Sequence, residues 1–285
     1  MTAARAIGLL LGAAADGVIT QPARKADVVR GAGVAGGLVV AGVLAERVAR
    51  RSPVAQALGT AAATWAVLGA ARLAADGTTL ARDLEEGELD GARQTLADLD
   101  PRCTEGLDVI GLARASVESV AQQTNDAVVG PMFWGAVAGI PGLVGARALS
   151  LVRGPAVVAR LADLVNLVPT RYAAALTVTG APVVGGSASG AWRAWRRDTT
   201  AHPSPNAGRV EAAFAGALEI RLGGRTVYPH GVEELPVLGD GRNPDAGHVT
   251  RAVELSRVVG WLTALSSAVL AVLTGLRHRR QAVRA

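Results

Sequence analysis

What most restricts the fold of this 285-residue chain is where its charges are missing. Uncharged windows cover residues 31–45, 52–71, 127–146, 172–192 and 258–276, with lengths of 15, 20, 20, 21 and 19. A bilayer crossing takes about 20 apolar residues of helix, so four windows are long enough. The 31–45 window reaches across only with Arg30 and Arg47 snorkelling at its ends. A sixth candidate, 6–23, holds Asp16 near its middle. That acid is either a functional suspect or the end of a short helix at the interface. Half of the residues are hydrophobic, 3% are aromatic and 35 are glycine, a composition for closely approaching Ala-, Val- and Leu-rich helices. These features predict an all-α, multi-pass integral membrane protein, with about four to six membrane helices. Residues 1–285 are read as one membrane-embedded domain.

Composition removes several alternatives. Charged residues make up 19%, below the quarter or so of an ordinary soluble domain, and too few for a disordered chain. Lys25 is the one lysine, in ITQPARKAD with no glycine loop before it, so neither a P-loop nor a Schiff-base site is available. The single Cys103 excludes a disulfide framework or a cysteine metal cluster. A net charge of +5 comes from arginines spread without interleaved aromatics, which argues against nucleic-acid binding. The start, MTAARAIGLLLGAAADG, has the outline of a secretory leader, but the other spans require none. Gly31, Gly33 and Gly36 spell G-x-G-x-x-G, yet neither the strand before it nor the acid about 20 residues later of a dinucleotide site is present. Small residues four apart (Gly8/Gly12, Gly33/Gly37, Gly135/Gly139) instead suit close helix packing in lipid.

Two segments are polar enough to lie outside a bilayer. Residues 72–126 hold twelve acids and five arginines, with a helical apolar face at Leu80, Leu84, Ala92, Leu96 and Leu99. Residues 193–257 hold nine arginines and eight acids and read as loops with short helices. No strand alternation stands out. The tail RHRRQAVRA reads as cytoplasmic by the positive-inside rule.

Two constellations could carry chemistry. In the first, a helix would align Arg114, Glu118, Gln122 and Asp126, spaced by four. The stripe is either an acidic mouth for a hard cation such as Mg²⁺ or a solvated face with an Arg–Glu pair. The second gathers Arg196, Arg197, Asp198, His202, Asn206, Arg209 and Glu211. Pro203 and Pro205 interrupt helix there, and a new helix near Glu211 would offer its N-terminus to an anion. His202 titrates near neutral pH and suits acid–base work, unless it is an ordinary turn histidine.

The stretches VESVAQQTNDAVVGPMFWGAVAGIPG and RDTTAHPSPNAGRVEAAFAGALEIRLGGRTVY closely resemble the adenosylcobinamide-phosphate synthases of cobalamin biosynthesis, the CobD/CbiB family. Weaker similarity runs through TAAATWAVLGA, ARDLEEGELDGAR, DLVNLVP and LGDGRNPDAGHVTRAVELSR. The resemblance implies a multi-pass ligase of the bacterial cell membrane. It would join adenosylcobyric acid to (R)-1-aminopropan-2-ol or its phosphate, with ATP as co-substrate and Mg²⁺. Partners implied are the corrinoid, the amine, the lipid bilayer and other late cobalamin-pathway membrane enzymes. Carried onto this chain, Arg196 and Arg197 hold phosphate, while Glu118, Asp126 and Asp198 organise Mg²⁺ as part of the catalytic set. His202 takes the amine proton, Asn206 and Glu211 orient the site, and Arg114, Arg82 and Asp83 are further binding candidates. The chain departs from the family pattern at Gln21, where His is expected, at Cys103, where an acid is expected, and at Gln122, where a carboxylate is expected. An impaired relative that binds corrinoid or scaffolds the pathway is therefore the second reading, and a small-molecule transporter the third.

Overall fold

The computed structural model describes residues 2–18, 32–151, 156–202, 204 and 206–284. Gln21, Lys25, Arg30, Gly31, Pro203 and Pro205 lie outside the described residues, as do the side chains of the arginine-rich tail. The first helices are α1 (Thr2–Val18), α2 (Ala32–Ala49), α3 (Pro53–Val67), α4 (Ala70–Glu86), α5 (Leu89–Leu99) and α6 (Val109–Thr124). A π-helical turn, Asn125–Val129, leads into α7 (Gly130–Ala138), α8 (Ile140–Leu151) and α9 (Ala156–Gly180). After a 3-10 turn come α10 (Ala188–Asp198), a second 3-10 turn, α11 (Ala207–Leu218), the antiparallel hairpin β1 (Leu222–Tyr228) and β2 (Gly231–Leu238), and α12 (Ala246–Arg284). The chain divides into two compact units: residues 1–71, 126–166 and 260–285, and residues 72–125 and 167–259.

The first unit is apolar. Leu9, Leu68, Val128, Met132, Leu143 and Ala268 form its core. α1 packs against α3 at Gly8 and Gly12, where an added Cβ would come within 2.6 Å of Thr60 and 2.5 Å of Thr64. Only hydrogen at those positions lets the helices approach so closely. The Gly33/Gly37 expectation does not hold in the same way, because the space at Gly37 is open. Asp16 is buried and accepts the Ala71 N–H at 3.1 Å, so it caps the orphan amides at the start of α4. Glu46 of α2 is a buried hub. Its Oε1 accepts from Arg5 (2.8 Å), Gln56 (2.9 Å) and Arg50 (3.1 Å), and its Oε2 accepts from the Ile140 amide (3.1 Å).

That last bond falls where the 127–146 window breaks. Gly139 has φ +75° and separates α7 from α8, so the window is two short helices and not one span. Two stretches, Pro53–Glu86 (α3 and α4 in series) and Ala246–Thr274, are long and apolar enough to cross a membrane.

The second unit has a conventional interior, with Leu80, Leu96, Leu112, Phe214, Ile220, Leu222, Leu238 and Leu255 fully buried. Leu80 and Leu84 lie on α4 and Ala92 and Leu96 on α5, so the expected apolar face is divided by a turn at Gly87 (φ +78°). The 172–192 window is not a span. α9 ends at Gly180, a 3-10 turn covers Ala181–Val184, and Gly185 (φ +66°) turns the chain towards α10. Ala173, Ala174, Thr177, Ala181 and Ala191 are buried in protein. The all-α expectation needs a second correction, since residues 222–238 form a hairpin. α11 also starts at Ala207, four residues before the expected position. α10 and α11 touch through glycine, with a Cβ on Gly216 coming 2.3 Å from the Gly190 carbonyl oxygen.

Candidate active site

The most concentrated group of buried charges in the second unit centres on Arg102, in the connection between α5 and α6. Its Nη1 donates to Glu118 Oε2 at 2.6 Å, and its Nη2 pairs with Asp100 Oδ2 at 2.8 Å. Side-chain exposure is 9% for Arg102, 5% for Asp100 and 3% for Glu118. Burial opposes the arginine's charge, but Glu118 and Asp100 outweigh it and hold the guanidinium charged. Each carboxylate has further donors. Ser119 Oγ donates to Asp100 Oδ2 at 2.8 Å, and the Gly223 amide donates to Glu118 Oε1 at 2.6 Å. Arg114 Nη1 donates to the Gly223 carbonyl at 3.3 Å. One α6 face therefore grips both backbone groups of a β1 glycine. Gly223 has φ +81° and lies at the irregular register between Leu222 and Gly224. The expected Arg114–Glu118 pair is replaced by this arrangement.

His202 and Glu211 stand within electrostatic range of that cluster. His202 Nε2 is 3.9 Å from Glu211 Oε2, and both side chains are buried. His202 Nδ1 lies 3.2 Å from the Ser204 carbonyl oxygen and 3.1 Å from the Ser204 amide. With the proton on Nε2, Nδ1 accepts the Ser204 amide hydrogen; with the proton on Nδ1, the ring donates to the Ser204 carbonyl and Nε2 is left as a base facing Glu211. Burial lowers the His202 pKa and keeps the ring neutral. Burial, reinforced by Glu118, pushes the Glu211 carboxyl up to about 8. Asn206 Oδ1 accepts from Thr170 Oγ1 at 3.3 Å and precedes α11 without capping it by its side chain.

The remaining expected residues lie elsewhere. Asp198 accepts from Arg197 on both oxygens, and its Oδ2 also accepts the Gly239 amide at 2.8 Å. It thus ties the end of α10 to the end of β2. Arg197 is exposed and also pairs with Asp240 at 3.0 Å. Arg196 lies over the Trp192 ring, 5.4 Å from its centroid. Arg82 pairs with Asp83 at 3.1 Å, and the Asp83 carboxylate faces Gly91 at the α4–α5 turn. Asp126 belongs to the first unit, where its carbonyl accepts from Arg147 at 3.3 Å. Gln122 and Cys103 are exposed.

These positions bear on the Mg²⁺ expectation. Glu118 and Asp198 spend their oxygens on Arg102, Gly223, Arg197 and Gly239. Among the described residues, no three His, Cys, Asp or Glu side chains are grouped as a metal site requires. With those oxygens spent, Glu118 and Asp198 do not fit a resident Mg²⁺.

Asp100, Arg102 and Gly223 are the members that reading the sequence missed. The available signal was Asp100-Pro101-Arg102, where the carboxylate stands two positions before the arginine although Cys103 follows it.

Residues 4–256 match the family model described as CobD/Cbib protein. The chain is 43% identical to the cobalamin biosynthesis protein CobD of Mycobacterium tuberculosis, over 96% of this chain and 97% of that protein. It is 35% identical to the protein of the same name from Chromobacterium violaceum, over 87% and 82% respectively. The corresponding figures for the Geobacter metallireducens protein are 33%, 78% and 74%. No solved structure matches the chain. With a family model spanning most of the sequence and relatives aligned almost end to end, the chain belongs to the CobD/CbiB family.

Proposed function

We propose that this protein acts in cobalamin biosynthesis as a membrane-bound, ATP-dependent ligase. It joins the activated carboxylate of adenosylcobyric acid to (R)-1-aminopropan-2-ol or its phosphate. The observation carrying this reading is the convergence of Glu118, Arg102, Glu211 and His202 in the second unit. These residues arrive from separate chain segments, three of them inside the stretches that carry the family resemblance.

An amide-forming site must keep the amine nucleophile unprotonated at the moment of attack. His202 suits that work: a buried, neutral imidazole with its Nδ1 at the Ser204 carbonyl and its Nε2 towards Glu211. Arg102 and its two carboxylates hold the α6 face and β1 in fixed register around it. Asp198 is a positioning residue, fastening α10 to Gly239. ATP would supply the leaving group by phosphorylating the corrin carboxylate, and any Mg²⁺ enters with the nucleotide as part of the substrate.

Membrane placement is supported by two apolar helical stretches and by the outward faces of the first unit. On α12, Trp261, Leu265, Val269 and Leu273 are more than half exposed at a spacing of four. Val40, Leu44 and Val48 of α2 repeat the pattern. Such stripes are unfavourable in water and at home in hydrocarbon, which extends the reading to a multi-pass protein.

The test is turnover by the full chain in lipid vesicles given ATP, adenosylcobyric acid and each amine. Adenosylcobinamide or its phosphate should form together with ADP, and His202→Ala should lower the rate about 100- to 10,000-fold. Corrinoid binding with no amide product from the wild-type protein would favour the scaffold reading, for which Gln122 and Cys103, at positions where the resemblance implies acids, provide the motive.

A further inference from the structure

Glu211 stands apart from the other buried carboxylates. Asp100 and Glu118 each hold a guanidinium and at least one further donor. Glu211, with a side-chain exposure of 10%, forms no hydrogen bond among the described residues. Its one ion-pair neighbour there is His202 Nε2 at 3.9 Å, beyond hydrogen-bond reach. A carboxyl group nine-tenths withdrawn from water with no hydrogen-bond partner is costly, which points to a ligand that supplies one.

The surrounding charge defines that ligand. Arg102 is the cation of the cluster and is already shared by Asp100 and Glu118, leaving a surplus of one negative charge before Glu211 is counted. The groups bearing on Glu211 are Glu118 on α6, Arg102 and Asp100 from the α5–α6 connection, and His202 ahead of α11. Tyr228 on β1 feels the same Arg102, Asp100 and Glu118 charges. None of these offers Glu211 a free positive charge. An anion would be repelled, and a neutral alcohol carries no positive charge to pair with Glu211 once it ionises. A primary ammonium supplies one positive charge and three donors.

We propose that Glu211 is the counter-ion for the primary ammonium of the amine substrate, seated between the Glu211 carboxyl and His202 Nε2. The assignment rests on the ligase reading and names where its amine binds. Glu211 is protonated in the empty site because burial and Glu118 disfavour its charge. Binding of the ammonium therefore expels one proton to solvent: Glu211–COOH and R–NH₃⁺ become the pair Glu211–COO⁻ and R–NH₃⁺, plus H⁺. His202 then stands next to the ammonium it is to deprotonate. Affinity should rise with pH as Glu211 ionises more readily, until the amine loses its own charge.

The experiment is calorimetric titration of the detergent-solubilised full chain with (R)-1-aminopropan-2-ol. It is run below pH 8 in two buffers of different ionisation enthalpy, and repeated with the amine's phosphate ester and with propane-1,2-diol. The amine should bind with release of about one proton, and the uncharged diol about 10- to 100-fold more weakly, the range expected for a charge-assisted hydrogen bond. The phosphate ester should release the same proton if the ammonium is the recognised group. Glu211→Gln should weaken both amines by a similar factor and abolish the proton release, while adenosylcobyric acid still binds. Equal binding of diol and amine, or no proton release by the wild-type protein, overturns the assignment without relying on any variant. Amine binding with proton release but no amide product would sink the ligase reading and leave this site standing.

Discussion

At the scale of single residues, two buried carboxylates of the second unit behave differently because their partners differ. Glu118 receives a guanidinium and a backbone amide, so it is a fixed structural anion. Glu211 receives neither and is held neutral. This contrast was only partly visible in the sequence. Glu118, His202 and Glu211 stood out as polar residues in resembling stretches, but spacing placed Glu118 in a stripe with Arg114 and Asp126. The cation it uses, Arg102, is sixteen positions away and arrives by tertiary folding. Arg102→Leu should therefore be severe. It strands Asp100 and Glu118 as buried, unpaired charges, which costs about 3–5 kcal/mol where a buried pair is broken from one side. Thermal unfolding in detergent would measure this as a large fall in midpoint. Adding Glu118→Leu to Arg102→Leu should recover part of it, because one orphan charge is then gone. A double variant no more stable than the single one would show that the ion pair is not what holds this region.

Among the elements, helices with strong apolar periodicity were legible and the connections between them were not. Leu80, Leu84, Ala92 and Leu96 marked α4 and α5, but the left-handed turn at Gly87 was hidden inside one polar run. The hairpin escaped because β2 is mostly exposed, so VEELPVL shows no clean alternation of apolar and polar residues. Its attachment depends on Gly223, whose two backbone groups answer to Glu118 and Arg114. A Cβ there would lie 2.1 Å from the Pro236 carbonyl oxygen, on a backbone at φ +81°. Gly223→Ala should cost about 2–4 kcal/mol, combining left-handed strain with overpacking. Gly87 has nearly the same φ, +78°, but open space around it. Gly87→Ala should therefore cost only the conformational strain, about 1–2 kcal/mol. Comparing the two unfolding midpoints separates steric closure from dihedral preference, and equal losses would mean that contact with Pro236 contributes nothing.

For the whole molecule, the sequence was read as one domain with two polar segments outside a bilayer, and the structure divides it into two compact units. The polar segments drawn at 72–126 and 193–257 lie close to three of the unit boundaries, at 71/72, 125/126 and 259/260. The apolar run 172–192 was misassigned to a membrane because hydropathy cannot tell a helix buried in protein from one buried in lipid. Residues 167–192 fold with the polar segments, and Ala173, Ala174, Ala181 and Ala191 are buried in protein. The difference shows in what remains exposed. On α12, Leu265 and Val269 are 58% and 60% exposed although the helix is strongly apolar. Leu255 and Val259, earlier on the same helix, are fully buried, and Glu254 is exposed. If lipid covers the 261–273 stripe, Val269→Arg places a guanidinium in hydrocarbon at a cost of about 2.5–3.5 kcal/mol near mid-membrane. The share of chain that resists alkaline extraction from membranes should then fall several-fold. Glu254→Arg, a larger reversal of charge on the same helix, should leave that share unchanged. Equal extraction of both variants and the wild-type protein would mean that the stripe is covered by something other than lipid.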